Sequence, residues 1–213
     1  MRTTALLAAA LAVGVLAPAA AQSPAAAPDA WTIDQSHTTA GFSVKHMMVT
    51  NVHGTFGKVD GTITYDGKDV STIAADITID AASVNTNNER RDTHLRSADF
   101  FDVENHPTIT FRSKRVEKAG DGRFRLVGDL TIRGVTKEVA LDVEGPSPVI
   151  NAGRVFKVGA SATTTINRQD FGLTWNRMLE AGGVTVGDEV KITLEIEANK
   201  PNPNAPPPSA QGR

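Results

Sequence analysis

At 213 residues, with 40% apolar and 22% charged side chains, the chain has the balance of a single globular domain, which excludes a wholly disordered, collagen-like or multi-span membrane protein. A formal charge of -2 and 5% aromatic residues argue against nucleic acid as a partner, since phosphate binding needs a basic surface and single strands need stacking platforms. Cysteine is absent, so there is no disulfide framework, thiolate metal site or cysteine nucleophile.

Residues 1–21 read as a signal peptide: Arg2, an apolar run from residue 5 to 17, then Ala19-Ala20-Ala21 before Gln22. The run falls short of the roughly 20 residues that span a bilayer, so stable membrane insertion is not expected. Without cysteine the mature end cannot carry a thioether-linked lipid, and a soluble exported protein is expected. Residues 22–30 form an Ala/Pro linker.

The body, residues 31–199, is a succession of period-two runs. Phe42, Val44 and His46 alternate with Ser43 and Lys45; the weaker run 61–65 follows, then Ile77 and Ile79 between Asp76, Thr78 and Asp80. Residues 88–101 depart from this pattern. Arg91, Leu95 and Ala98 recur at helical spacing, which predicts a short helix or 3₁₀ segment. Alternation returns at Ile109 and Phe111, along Phe124, Leu126, Gly128, Leu130 and Ile132, at Val139, Leu141 and Val143, over the weaker run 155–165, and at Val190, Ile192, Leu194 and Ile196. Residues 200–213, with five prolines, read as a Pro-rich disordered tail that lacks the apolar content to offset ordering entropy.

These runs make about eight strands separated by turn signals such as Asp66-Gly67 and Arg133-Gly134. One apolar and one polar face per strand indicates antiparallel pairing. Periodicity alone is satisfied by an up-and-down barrel or by a two-sheet sandwich. Small residues on the expected inner faces (Gly128, Ala160, Ala162, Thr164) suit a barrel that leaves room for a ligand, and equally suit edges and bulges.

The stretch from Arg91-Asp92-Thr93-His94-Leu95-Arg96 through Ser97-Ala98-Asp99-Phe100-Phe101-Asp102, followed by His106-Pro107-Thr108-Ile109-Thr110-Phe111, resembles the YceI-like family. Trp31-Thr32-Ile33-Asp34, Phe42-Ser43-Val44-Lys45-His46, Gly128-Asp129-Leu130-Thr131-Ile132-Arg133-Gly134 and Ile166-Asn167-Arg168-Gln169-Asp170-Phe171-Gly172 stand in the same order as in that family, and the likeness covers residues 31–198. The resemblance implies an all-β fold: an eight-stranded antiparallel lipocalin-like barrel with a short helical segment, resident in the periplasm. Its interior would accept a polyisoprenoid or other long-chain lipid. The Pro-rich tail and Met47-Met48 after His46 depart from the family pattern without disrupting a motif.

Several residues are candidates for ligand contact. His46 shares a strand face with Phe42 and Val44 and should point inward, either to a polar head group or to a structural partner. Arg91 and His94 can serve a diphosphate or carboxylate head, whereas Asp92 fits a latch in which Arg91 pairs with Asp92 or Asp99. Arg168 reaches either the cavity mouth or Asp170. Phe111, Leu130, Phe171 and Trp175, with Leu173, provide apolar lining or plug packing. His37, His46 and His94 with Asp92 would suffice for zinc, but no ligand spacing is recognisable, so no metal or cofactor is expected. There is no G-x-S-x-G elbow and no phosphate-cradling loop, and no catalytic residues are assigned.

The reading that follows is a carrier or sink for a long apolar ligand. An envelope interaction module and, less favoured, an enzyme acting on an amphiphile are the alternatives; a homodimer is left open.

Overall fold

The computed structural model describes residues 29–120, 122–180 and 182–206. The expected signal peptide and most of the expected linker lie outside these residues. Six strands precede the helix: β1 (Ala30–Ile33), β2 (Thr39–His46), β3 (Thr50–Phe56), β4 (Val59–Thr64), β5 (Ala74–Asp80) and β6 (Val84–Asn85). After α1 (Glu89–Arg96) come β7 (Thr108–Gly120), β8 (Arg123–Ile132), β9 (Val135–Glu144), β10 (Ile150–Asn151), β11 (Val155–Asn167) and β12 (Val186–Pro201).

The pairing order β11-β9-β8-β7-β5-β4-β1-β12 returns from β12 to β11, closing an eight-stranded barrel in which each ladder is antiparallel. Closure matters because it removes the unpaired strand edges that an open sheet would expose. Pairing with β12 places β1 and β2 end to end along one of its edges: Ala198 and Asn199 face β1, while the stretch from Val186 to Glu195 faces β2. β3 and β6 continue outward from β2. The expected count of eight therefore holds, with β1 and β2 sharing one place in the wall along the edge of β12.

Local sequence explains the hairpins. The two-residue connection Arg133-Gly134 has φ of 50° and 73°, the type I′ geometry whose twist matches that of paired strands and which Gly favours. α1 is capped by Asn88, whose side chain accepts a hydrogen bond from the Arg91 amide at 3.0 Å, satisfying one of the free N–H groups of the first turn. The helical signal of residues 88–101 resolves into α1 followed by a compact bend, held by the Phe101 amide donating to the Leu95 carbonyl at 2.9 Å.

One end of the barrel is sealed. Trp31 is 1% exposed and packs with Tyr65, Val158 and Ala198, and its indole N–H donates to the Tyr65 carbonyl at 2.8 Å. The last strand runs further than expected: Lys200 and Pro201 pair with Phe156 and Val155, and the Asn202 amide donates to the Arg154 carbonyl at 3.0 Å. The start of the Pro-rich segment is thus fixed to the barrel, because Pro201 sits at a strand end where a missing N–H is tolerated.

The small residues of the inner faces have two different roles. Ala160 and Ala162 border interior space. Gly128 instead makes room for an aromatic ring: a Cβ there would lie 2.7 Å from Phe111 Cζ and 2.5 Å from the Arg112 carbonyl oxygen. Because the second neighbour is backbone, no rotamer change relieves it. Gly128→Ala should therefore destabilise the fold by about 1–3 kcal/mol, read as a lowered urea midpoint with an unchanged m-value.

Candidate functional site

Residues that point to the barrel axis are commonly buried, yet Phe42, Val44, Ile77, Ile79, Ile192 and Leu194 are only half-buried. The cause is interior space that opposing side chains leave unfilled, a cavity of about 400 Å³, inside the range of roughly 300–1,000 Å³ usual for small-molecule sites. Its wall is aliphatic and aromatic for most of its length. Phe42, Val44, Phe111, Leu130, Phe171 and Trp175 all border it, as do His46, Arg91, His94 and Arg168. The geometry thus brings these ten residues together around one space, whereas His37, Asp92 and Asp170 do not border it. Sequence reasoning passed over Val52, Leu95, Phe100 and Val186, which border the same space; Val52 and Val186 lie in short or irregular strand segments without a clear alternating signal.

The polar lining residues gather at the end opposite Trp31. A chain of contacts joins them: the His94 ring stands edge-on to Trp175 at 4.9 Å and to Phe100 at 5.0 Å. The neighbouring Asn176 side chain exchanges hydrogen bonds with the backbone of Val186, at 2.8 and 3.1 Å. Val186 in turn pairs with His46 across β12 and β2. Arg91 and His94 border both the cavity and a shallow surface depression completed by Asn88 and Arg90. This is where the interior meets the surface.

Within that mouth the side chains divide by how far protein partners already occupy them. Arg168 is 4% exposed. Its guanidinium donates to the carbonyls of Gly187 at 2.8 Å, Trp175 at 2.9 Å, Val186 at 3.3 Å and Leu173, and pairs with Asp188 at 3.2 Å. Burial pushes its pKa down from the ordinary guanidinium value, against the pull of Asp188. Of the expected cavity mouth and Asp170, Arg168 borders the first, and with its donors directed at main chain and Asp188 it also holds Leu173, Trp175 and residues 186–188 against the barrel. Asp92, 7% exposed, accepts from the Thr86 amide at 2.8 Å and from its hydroxyl. It is a latch, but to Thr86 and not to Arg91. Arg91 donates through Nε to Thr86 Oγ1 at 2.7 Å and through Nη2 to the Thr86 carbonyl at 2.9 Å. These two bonds leave part of its five-donor fork uncommitted. His94 Nε2 lies 2.8 Å from an Asp99 carboxylate oxygen, which fixes the ring beside Trp175. Thr86, on which Arg91 and Asp92 converge, carries no signal of its own in the sequence.

The grouping of His37, His46, His94 and Asp92 does not form. His37 instead lies with Asp34 and Glu197 in the one cluster of potential metal ligands among the described residues. Lys157 takes the cationic position there, 3.3 Å from Asp34 and in contact with Glu197, and Asn199 donates to Asp34 at 2.9 Å. The hydrogen bonds from Asn199, His37 and Lys157 hold the Asp34 carboxyl well below the usual carboxylate range. Glu197 and, after it, Asp34 raise the pKa of Lys157. The cluster is an ion-pair network that ties the end of β1 to β11 and β12.

An antiparallel eight-stranded barrel, sealed at one end and enclosing an apolar cavity with a polar mouth, defines a lipocalin-like protein. The YceI-like domain model matches residues 31–198, and the chain belongs to the YceI-like family. UPF0312 protein SAS2572 of Staphylococcus aureus strain MSSA476 is 40% identical over 168 residues, covering 78% of this chain and 95% of the relative. The YceI protein of Campylobacter jejuni is 34% identical, with a TM-score of 0.64 over 74% of this chain and 90% of its own. Two more distant structures share the fold. BcnA of Burkholderia cenocepacia has 24% identity and a TM-score of 0.66 over 78% of this chain and 98% of its own. A polyisoprenoid binding domain from Saccharophagus degradans has 17% identity and a TM-score of 0.59 over 80% of this chain and 98% of its own.

Two measurements probe these assignments. Arg168→Met removes the one side chain joined to four carbonyls and Asp188, and should cost about 3–5 kcal/mol by urea unfolding, with loss of the Trp175 near-UV signal. Asp34 has a depressed folded pKa, so its contribution is complete above the unfolded carboxylate value near about 4 and fades as pH falls through the lower folded value. The gap in urea midpoint between wild type and Asp34→Asn should stay level from neutral pH to about 5 and narrow below about 4.

Proposed function

We propose that this protein is exported through its 1–21 segment to the periplasm, where it holds a polyisoprenoid or other long-chain lipid inside the barrel as carrier or sink. The observation that carries this reading is the unfilled apolar interior. A fold gains stability by packing its core to the density of an organic crystal, and interior space lined by aliphatic side chains forfeits that gain. Such space is retained at a cost, and a flexible apolar chain is the ligand that recovers the lost contacts.

The direction of binding follows from the polar mouth. Each buried methylene contributes about 0.8 kcal/mol, so the tail supplies the affinity. The head remains at the depression bordered by Asn88, Arg90, Arg91 and His94, where the open donors of Arg91 suit a phosphate or carboxylate. His46, at the mouth end of β2, offers an imidazole to the same region. The family, and the polyisoprenoid binding of the Saccharophagus degradans domain, support a lipid ligand. Nothing in the mouth calls for catalysis, and the reading assigns no reaction.

Native mass spectrometry of detergent-free protein taken from its own periplasm should show a stoichiometric adduct with an isoprenoid or acyl tail. A bare mass that stays bare after incubation with polyprenyl phosphates and fatty acids would overturn the reading. Ala162 borders the cavity at 6% exposure. Ala162→Phe should fill part of the space and weaken binding by at least about tenfold, with unfolding still cooperative.

A further inference from the structure

The described residues include six large hydrophobic side chains that stand exposed, and four of them, Met47, Met48, Val49 and Met178, belong to two turns at the mouth end. Met47, Met48 and Val49 form the tip between β2 and β3 and are 44%, 57% and 82% exposed; Met178 is 74% exposed. The two turns are joined. The Met47 amide donates to the Thr185 carbonyl at 2.8 Å, the Thr185 amide donates to the Arg177 carbonyl at 2.9 Å, and Met178 forms an isolated bridge with Val184. Met48 also lies over Gly183, its Cγ 3.3 Å from where a Cβ would stand. His46, directly before the tip, and Thr185, directly after Val184, both border the cavity. The apolar lip and the cavity mouth are therefore one continuous surface.

The tip is also strained. Met47 and Met48 have φ of 49° and 61°, the type I′ conformation for which Asn-Gly is the favoured pair. Two bulky side chains in left-handed backbone are retained against local preference, and such outliers collect where function needs them. Methionine is flexible and polarizable, and adapts to an irregular apolar surface. Exposed Lys45 and Arg177 flank the tip, and exposed Glu180 in the second turn and Glu189 at the start of β12 balance them, so the apolar side chains and not a net charge distinguish this surface.

We propose that this lip, Met47, Met48 and Val49 with Met178, docks the protein on the surface of a lipid bilayer, and that the mouth, continuous with the lip, then exchanges its occupant directly with the membrane. The inference rests on the lipid reading of the cavity. The apolar tip enters the acyl boundary while the mixed charges around it, Lys45, Arg177, Glu180 and Glu189, stay among the head groups, the arrangement of interfacial anchors. No helix of the described residues is long and apolar enough to cross a membrane, and none is required for a surface contact of this kind.

Flotation with phosphatidylethanolamine vesicles, with and without phosphatidylglycerol, tests the docking. Wild type should float with both kinds of vesicle, and binding carried by apolar side chains should persist at high salt. The double variant Met47→Asn with Met48→Gly installs the favoured turn pair, so it should melt about 2–4 °C higher while its vesicle partition falls by about tenfold or more. Its equilibrium binding of a soluble short-chain polyprenyl phosphate should match wild type, whereas its rate of taking lipid from vesicles should fall with the partition. A wild type that does not float, or a stabilised variant that floats as well as wild type, overturns the docking. Dimerisation in place of flotation, lost in the variant, also overturns it and assigns the lip to a second copy. Because flotation and soluble-ligand binding are read separately, a lip that docks on a barrel that binds no lipid leaves the docking standing and removes only the cavity reading.

Discussion

The structure depends on β12. Its thirteen-residue ladder with β11 closes the ring on one edge, and on the other edge it carries β2 along its first part and β1 at its end. A strand with three partners fixes three things together: the closure of the barrel, the sealed base around Trp31, and the position of the β2–β3 tip at the mouth. The alternation of Val190, Ile192, Leu194 and Ile196 with Lys191, Thr193, Glu195 and Glu197 turns one face of this strand to the cavity and the other to water. A register slip of one residue would exchange those faces, so the hydrophobic pattern of one strand sets the alignment of its neighbours.

Around this frame, three arginines, Arg168 buried and Arg96 and Arg133 half-buried, tie irregular segments to the barrel. Arg168 gathers the carbonyls of the segment leading into β12. Arg96 binds the carbonyls of Ala82 and Val84 beneath α1, and Arg133 joins the carbonyls of Ala98 and Gly172. Each guanidinium satisfies main-chain acceptors that irregular segments would otherwise leave unpaired at the barrel end. The loops over the mouth are thereby positioned without filling the space beneath them, and the cavity survives under a rigid rim.

Much of this was legible in the sequence because water lies on one side of most strands. β2, β5, β7, β8, β9 and β12 announced themselves by period-two alternation. β3 did not, since Gly54 interrupts its apolar row at the point where the Phe42 ring passes over it; β6 and β10, with two residues each, are too short to carry a period. The inward direction of Phe42, Val44 and His46 followed from alternation. What could not be read is tertiary by nature. Whether opposing side chains meet across a barrel depends on its shear and diameter, not on any one strand. That Thr86 would receive Asp92 and Arg91, or that Lys157 would join Asp34 to Glu197, depends on ladders that bring distant residues together.

The pairing of Thr32 with Asn199 has a consequence for the order of events in synthesis. A chain delivered from its N-terminus has β1 to β9 available while β11 and β12 are still being made, and hairpins such as β8–β9 can form early from local contacts. The ring cannot close until β12 arrives, so the cavity is the last part of the molecule to exist. Until then the strands that will line it present their apolar faces to the surroundings, a state prone to aggregation. The interval between emergence and closure, more than the stability of the finished barrel, is where such a topology is most in need of assistance.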